Sequence, residues 1–221
     1  MPRVDFDHQL NALQQEVEVL AGFIEKAINR SVDALKRQDL EASRQVVQDD
    51  NYIDQKRNEI EERCIDLIAT QQPMAGDLRV IIALLHIVVE LERMGGYAEG
   101  IAKISLAMGE APPLKPLIDI PRMAEKATGM LRDSIDSLLS RDVVKADQVC
   151  RADDEVDALY DQVYRELLLF MIQDPHTIAR ATYLLWVSHD LERIADRATN
   201  IAERVIYLVT GKLVESGVSK Y

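Results

Sequence analysis

The side chains best placed to do chemistry are carboxylates set four residues apart. In the C-terminal half, Asp153, Asp157 and Asp161 form one series, and Glu192, Asp196 and Asn200 form another. On a helix a spacing of four lines side chains along one face, about 5–6 Å apart at Cβ. Like charges held that close repel unless something neutralises them. One agent is arginine, and Arg193, Arg197 and Arg204 are near in sequence. That gives a salt-bridge ladder on a solvated face. The other is a hard cation, which takes carboxylate oxygens as ligands. The ladder is the commoner outcome of such spacing, since carboxylates four apart are frequent on helices. The candidate metal ligands are Glu192, Asp196, Asn200, Asp153 and Asp157. A thinner set, Glu92, Asp50 and Asp54, lies in the N-terminal half, where Gly96 and Gly100 stand at the positions of Asp196 and Asn200. Those glycines either let another backbone approach or mark lost ligands, and the sequence leaves both open.

Other chemistries are disfavoured. His8 and His176 read as surface residues. His189-Asp190-Leu191-Glu192-Arg193 faintly resembles a phospho-accepting histidine box, but the Thr-Pro that usually follows is missing and no nucleotide-binding pattern accompanies it. A di-iron site of the ferritin kind needs Glu three residues before a His, and none of the four histidines has one. There is no Gly-rich phosphate loop, nucleophile elbow or H-E-x-x-H. Cys64 and Cys150 have no partner at ligand spacing, which fits a reducing compartment and no zinc or disulfide framework. No catalytic residue is assigned, and the chain reads as a non-enzyme.

The elements that position these acids are long helices. Leu10, Leu13, Val17, Leu20, Ile24, Ile28 and Leu35 form one apolar stripe. The stripe restarts after Gln38-Asp39 and runs to about residue 69, where Thr70-Gln71-Gln72-Pro73 breaks it. A third helix is expected over about 74–108, with Gly109 as its stop. The proline-rich segment 110–116 is the linker. Helices are then expected over about 117–139, 142–172 and from Asp174-Pro175 to about 209, with Gly211 as the last stop.

The halves read as copies. Leu20, Ile24, Ile28, Val32 and Leu35 align at one constant offset with Met123, Ala127, Leu131, Ile135 and Leu138. The same offset pairs Asp39 with Asp142, Asp50 with Asp153 and Asp54 with Asp157. Glu90-Leu91-Glu92-Arg93-Met94 then aligns with Asp190-Leu191-Glu192-Arg193-Ile194. The fold expected is all-α, a tandem duplication of a three-helix bundle with six long helices. The first bundle would span 1–109 and the second 117–221.

A net charge of −12 on 221 residues repels nucleic-acid phosphates and anionic lipid heads, and no basic run offsets it. Nucleic acid is not an expected partner. The N-terminus carries acids where a signal peptide would be apolar, and the run 80–89 is too short to span a bilayer, so a cytosolic protein without membrane insertion is expected.

The segment Glu192-Arg193-Ile194-Ala195-Asp196-Arg197-Ala198-Thr199-Asn200-Ile201-Ala202-Glu203 resembles the repeated signature of the PhoU family, accessory proteins of the phosphate-specific transport system. Glu92-Arg93-Met94-Gly95-Gly96-Tyr97-Ala98-Glu99-Gly100-Ile101-Ala102 resembles its first-repeat version, with Gly96 for the usual Asp and Gly100 for the usual Asn. Phe6-Asp7-His8-Gln9-Leu10 and Pro73-Met74-Ala75-Gly76-Asp77-Leu78-Arg79 are similar too, so the likeness covers nearly the whole chain. The resemblance implies a cytosolic negative regulator of phosphate uptake and phosphate-starvation signalling. Its partners would be the phosphate-transport ATPase subunit and a sensor histidine kinase, and it would form a homodimer. It also implies iron or zinc on the acidic motifs, other divalent cations being alternatives, with Glu192, Asp196 and Asn200 opposite Asp153 and Asp157, and a partial site at Glu92, Asp50 and Asp54. A carboxylate-bridged metal-binding or metal-storage protein and a metal-free helical scaffold remain the rival readings.

Overall fold

The structure, a computed structural model, describes residues 2–212; the expected second bundle's last residues, 213–221, and Met1 lie outside them. Six long helices and one short turn make up the chain: α1 (Pro2–Arg37), α2 (Leu40–Gln71), α3 (Ala75–Met108), α4 (Asp119–Ser140), α5 (Val143–Gln173), the 3-10 turn Pro175–Thr177 and α6 (Ile178–Thr210). Helices α1 to α3 pack on one another, as do α4 to α6. The halves then join through α1 on α4 and α3 on α6, with α2 and α5 on the outer sides. One apolar core runs through both halves, from Leu13, Ile24 and Ile28 through Leu84, Leu91 and Met123 to Val163 and Leu191. Each such large side chain contributes roughly 1.5–3 kcal/mol by leaving water.

Local chemistry sets the joints where the apolar stripes stop. Gln38 and Arg141, equivalent by the repeat, both take left-handed backbone (φ 58° and 55°) and are each followed by an aspartate that opens the next helix. Asp39 accepts from the Ala42 amide at 2.9 Å, and Asp142 from the Val144 and Lys145 amides at 2.9 and 3.0 Å. Such caps satisfy amides that have no partner within the helix. Gly109 and Gly211 end α3 and α6 at positive φ.

Two joints differ from expectation. Pro175 opens a separate 3-10 turn before α6, because the Thr177 hydroxyl donates back to the carbonyls of Phe170 and Asp174 at 3.0 and 2.7 Å and tightens the chain there. Helix α4 starts at Asp119 rather than 117, because Leu117 is drawn into the core as part of the connection. That proline-rich connection is tied down. Lys115 pairs with Glu166, Gln38 donates to the Ala111 carbonyl, and Arg180 donates to the Pro112 carbonyl at 3.2 Å. Among the described residues no helix is long and apolar enough to cross a membrane.

Candidate functional site

Helices α5 and α6 bring four of the predicted carboxylates together. Val156 and Leu159 of α5 and Leu191 and Ala195 of α6 are buried in the seam, so Asp153, Asp157, Glu192 and Asp196 gather along it. Glu192 is inside the protein, 5 % exposed. The Arg193 guanidinium grips it with two bonds of 2.6 Å, from Nε to Oε2 and from Nη2 to Oε1. Its third nitrogen, Nη1, reaches Asp196 Oδ2 at 3.0 Å. A planar fork suits two carboxylates at once. Asp153 is left over: its Oδ1 is buried with no hydrogen-bond partner. Burial first, then the charges of Asp196, Asp157 and Glu192, push its carboxyl up to about 7. Burial and Glu192 raise Asp196 as well, against the pull of Arg193 and Arg197. His189 stands at the rim, Nδ1 3.7 Å from Glu192 Oε2, its ring 6.2 Å from that of Tyr160.

As a donor set this is hard oxygen, the kind a divalent cation prefers, and Asp153 Oδ1 is the orphan an ion would satisfy. The arrangement as it stands is closed by arginine instead. Among the described residues no three His, Cys, Asp or Glu side chains converge on a point that could hold an ion. Of the predicted ladder only Arg193 takes its place. Arg197 turns to Glu90, and Arg204 lies 6.0 Å from the Tyr207 ring. The face is half-buried rather than solvated.

Asn200 is not part of this group. Its Nδ2 donates to Glu90 Oε2 at 3.1 Å, across to α3, where Arg197 Nη1 donates to the same oxygen at 3.2 Å. Beside them a cavity of about 180 Å³ opens between α3 and α6, lined by His86, Glu90, Asn200, Glu203, Arg204 and Tyr207. Burial, with the nearby Arg204 charge, lowers the His86 imidazole below its ordinary range. Sequence reasoning missed Glu90, although its alignment with Asp190 was a signal: both are acids at equivalent points of the central pair. Asp190 faces Gly100, and burial alone raises its carboxyl to about 7.

The N-terminal half repeats the acidic seam between α2 and α3. Burial, then Glu99, Asp54 and Glu92, push Asp50 up to about 6. Glu99, which sequence reasoning did not single out, joins the cluster and pairs with Lys103 at 2.6 Å. Arg93, the equivalent of Arg193, is 53 % exposed and points to Glu90 at 4.0 Å, and among the described residues no arginine covers these acids. The glycines resolve into different cases. A Cβ at Gly95 would sit 3.0 Å from two Ile53 side-chain carbons, so glycine there accommodates the close packing of α2. At Gly96 a Cβ would meet open space. At Gly100 it would meet Asp190 Oδ2 at 3.0 Å, so this glycine serves a close approach by α6.

Comparison with known proteins covers both halves of the chain. The PhoU domain model matches the chain twice, over residues 7–105 and 120–205. A phosphate-specific transport system accessory protein PhoU homolog of Aquifex aeolicus is 42 % identical over 207 residues, 94 % of each chain. The homolog of Clostridium acetobutylicum is 38 % identical over 97 % of this chain and 99 % of its own. Among solved structures, PhoU from Pseudomonas aeruginosa superposes with a TM-score of 0.89 at 33 % identity, over 94 % of this chain and all of that one. The phosphate transport system regulatory protein PhoU from Streptococcus pneumoniae superposes at 0.88 and 30 % identity, over 96 % of this chain and all of that one. With both repeats matched and likeness extending over nearly its full length, this chain belongs to the PhoU family, the homologs of the phosphate-specific transport system accessory protein.

Proposed function

We propose that this protein is a non-enzymatic cytosolic adaptor that restrains phosphate uptake and phosphate-starvation signalling by contacting the ATPase subunit of the phosphate transporter and a sensor histidine kinase, and that it acts as a homodimer. The observation that carries this reading is the match of both repeats, in register, to accessory proteins of that transport system. The elongated faces of six packed helices suit contacts with two partners. The test is retention on the purified protein from detergent-solubilised membranes of its own organism. Recovery of the phosphate-transport ATPase or the phosphate sensor kinase supports the adaptor. Recovery of neither sinks it.

The acidic seams are the regulatory part of the proposal. Asp153, Asp157, Glu192 and Asp196 would hold a divalent cation, iron or zinc, with Arg193 displaced. Asp50, Asp54, Glu92 and Glu99 would form the corresponding place in the first half. Such an ion supplies charge neutralisation, which would favour one geometry of the α5–α6 seam over another. The supporting observation is the orphaned Asp153 Oδ1 among like charges. Metal content of Asp196→Ala against the parent protein decides it: an unchanged content removes the second-half assignment.

A further inference from the structure

The two halves differ most plainly on their outer grooves. Between α4 and α5, Lys126 and Glu155 form an ion pair that bridges the two helices. The constant offset of the repeat places Phe23 and Tyr52 at those same positions between α1 and α2. There the rings meet edge to face, centroids 4.8 Å apart, and remain 40 % and 39 % exposed. They edge an apolar groove of about 590 Å³ floored by Ala27 and Ile53. A solvated ion pair at this position suffices in the second half. Two large exposed rings in the first half gain nothing in water and leave a site that an apolar side chain can fill.

The charges around the groove select the partner. Lys26 stands over the Phe23 ring at 5.7 Å and has no carboxylate partner among the described residues. Lys56 stands over Tyr52 at 5.8 Å, although it also pairs with Glu59. Arg30 is engaged with Asp49 at 2.5 Å on the groove wall. The molecule is strongly acidic, yet this opening carries an uncommitted ammonium over an aromatic face. At physiological salt, charges beyond about 8 Å are largely screened, so the local cation outweighs the remote acids for a docked group.

We infer that the α1–α2 groove is a docking site for an acidic amphipathic helix of another protein. One apolar anchor would enter between Phe23 and Tyr52, and a carboxylate would lie on Lys26. Helix-in-groove recognition uses this division of labour, anchors for affinity and rim charges for orientation. Ile53, on the groove floor, also packs against the backbone of Gly95, beside Asp50. An occupant would therefore press on the same turn of α2 that carries the first acidic seam. The inference does not depend on which transporter or kinase is the partner, nor on metal in either seam.

The test uses the full chain and two short fluorescein-labelled helical peptides. One has Leu and Trp on one face and Glu on the other, and its twin has Lys for every Glu. Binding is read by fluorescence anisotropy. The acidic peptide should saturate and the basic twin should not. The double variant Phe23→Lys with Tyr52→Glu installs the ion pair of the second half in the first. It should weaken the acidic peptide about tenfold or more while circular dichroism and melting stay close to the parent. Lys26→Glu should reverse the preference between the peptides. Lys126→Ala, in the second half, should leave binding unchanged. The proposal is overturned if the acidic peptide does not saturate, if both peptides bind alike, or if the groove variants bind as the parent does. It is also overturned if the double variant lowers the sedimentation coefficient of the free protein, because the groove is then filled by a second copy of this chain.

Discussion

Replacing Asp153 by asparagine should stabilise the metal-free protein, and only above acidic pH. The native carboxyl sits at about 7 against an ordinary 3.8, because burial and the charges of Asp196, Asp157 and Glu192 oppose its ionisation. A carboxyl raised in the folded state holds its proton longer there than in the unfolded chain. Its contribution is therefore fully present below pH 3.8 and is lost as pH rises through about 7. About three units at ~1.4 kcal/mol each give an upper bound of roughly 4 kcal/mol. The side chain is only half-buried, and solvent screening reduces this to about 2 kcal/mol. Asparagine has nearly the same shape and no charge, and its amide can donate to the neighbouring acids. The variant should match the parent near pH 4 and exceed it by about 2 kcal/mol at pH 8, a rise in Tm of about 4–8 °C for a chain of this size. Urea unfolding followed by circular dichroism, in chelator at pH 4.5, 6 and 8, measures the difference. A constant difference across that range, or a less stable variant at pH 8, would refute the reasoning.

Three further outcomes follow from the central helices. Gly96→Ala should gain about 1 kcal/mol from helix propensity, because its Cβ enters open space. Gly95→Ala should instead lose stability, because overpacking against Ile53 at 3.0 Å costs about 1–3 kcal/mol; thermal melts of the two variants should move in opposite directions, and a common direction would contradict the packing described. Asn200→Ala removes one donor from the Glu90 carboxylate and leaves Arg197 as its contact from α6, which should cost about 1–2 kcal/mol in chemical denaturation; a change below the precision of that measurement would show that the α3–α6 bridge contributes nothing.

How much of this was legible in the sequence depends on the range of the force concerned. The helix joints were legible because they are local: Asp39 and Asp142 cap amides two or three residues away, and Gly109 and Gly211 adopt the backbone that other residues avoid. The duplication was legible because the acids and the apolar stripe share one offset. Asn200 meets Glu90 rather than the acids its spacing pairs it with, for a geometric reason. At about 100° per residue a spacing of four overshoots a full turn by roughly 40°, so the series Glu192, Asp196, Asn200 rotates by about 80° along α6. Glu192 faces the α5 seam, and Asn200 has turned to Glu90 on α3. A helix with three packed neighbours divides such a series between them, and periodicity alone does not say where.

The same limit applies to counting ligands. By residue type the second half is the richer metal candidate, since it keeps Asp196 where the first half has Gly96. By contacts the order reverses. Arg193 lies across Glu192 and Asp196 and offsets one of their two negative charges, whereas Arg93 lies on the Glu90 side and, among the described residues, no arginine pairs with Asp50, Asp54 or Glu92. A cation entering the second seam has to displace a fork of three short contacts. One entering the first seam has, among the described residues, the Glu99–Lys103 pair to disturb. Ligand number and ligand availability thus point to opposite halves. The deciding quantity is the free energy of moving one guanidinium, which a pattern of carboxylates does not record.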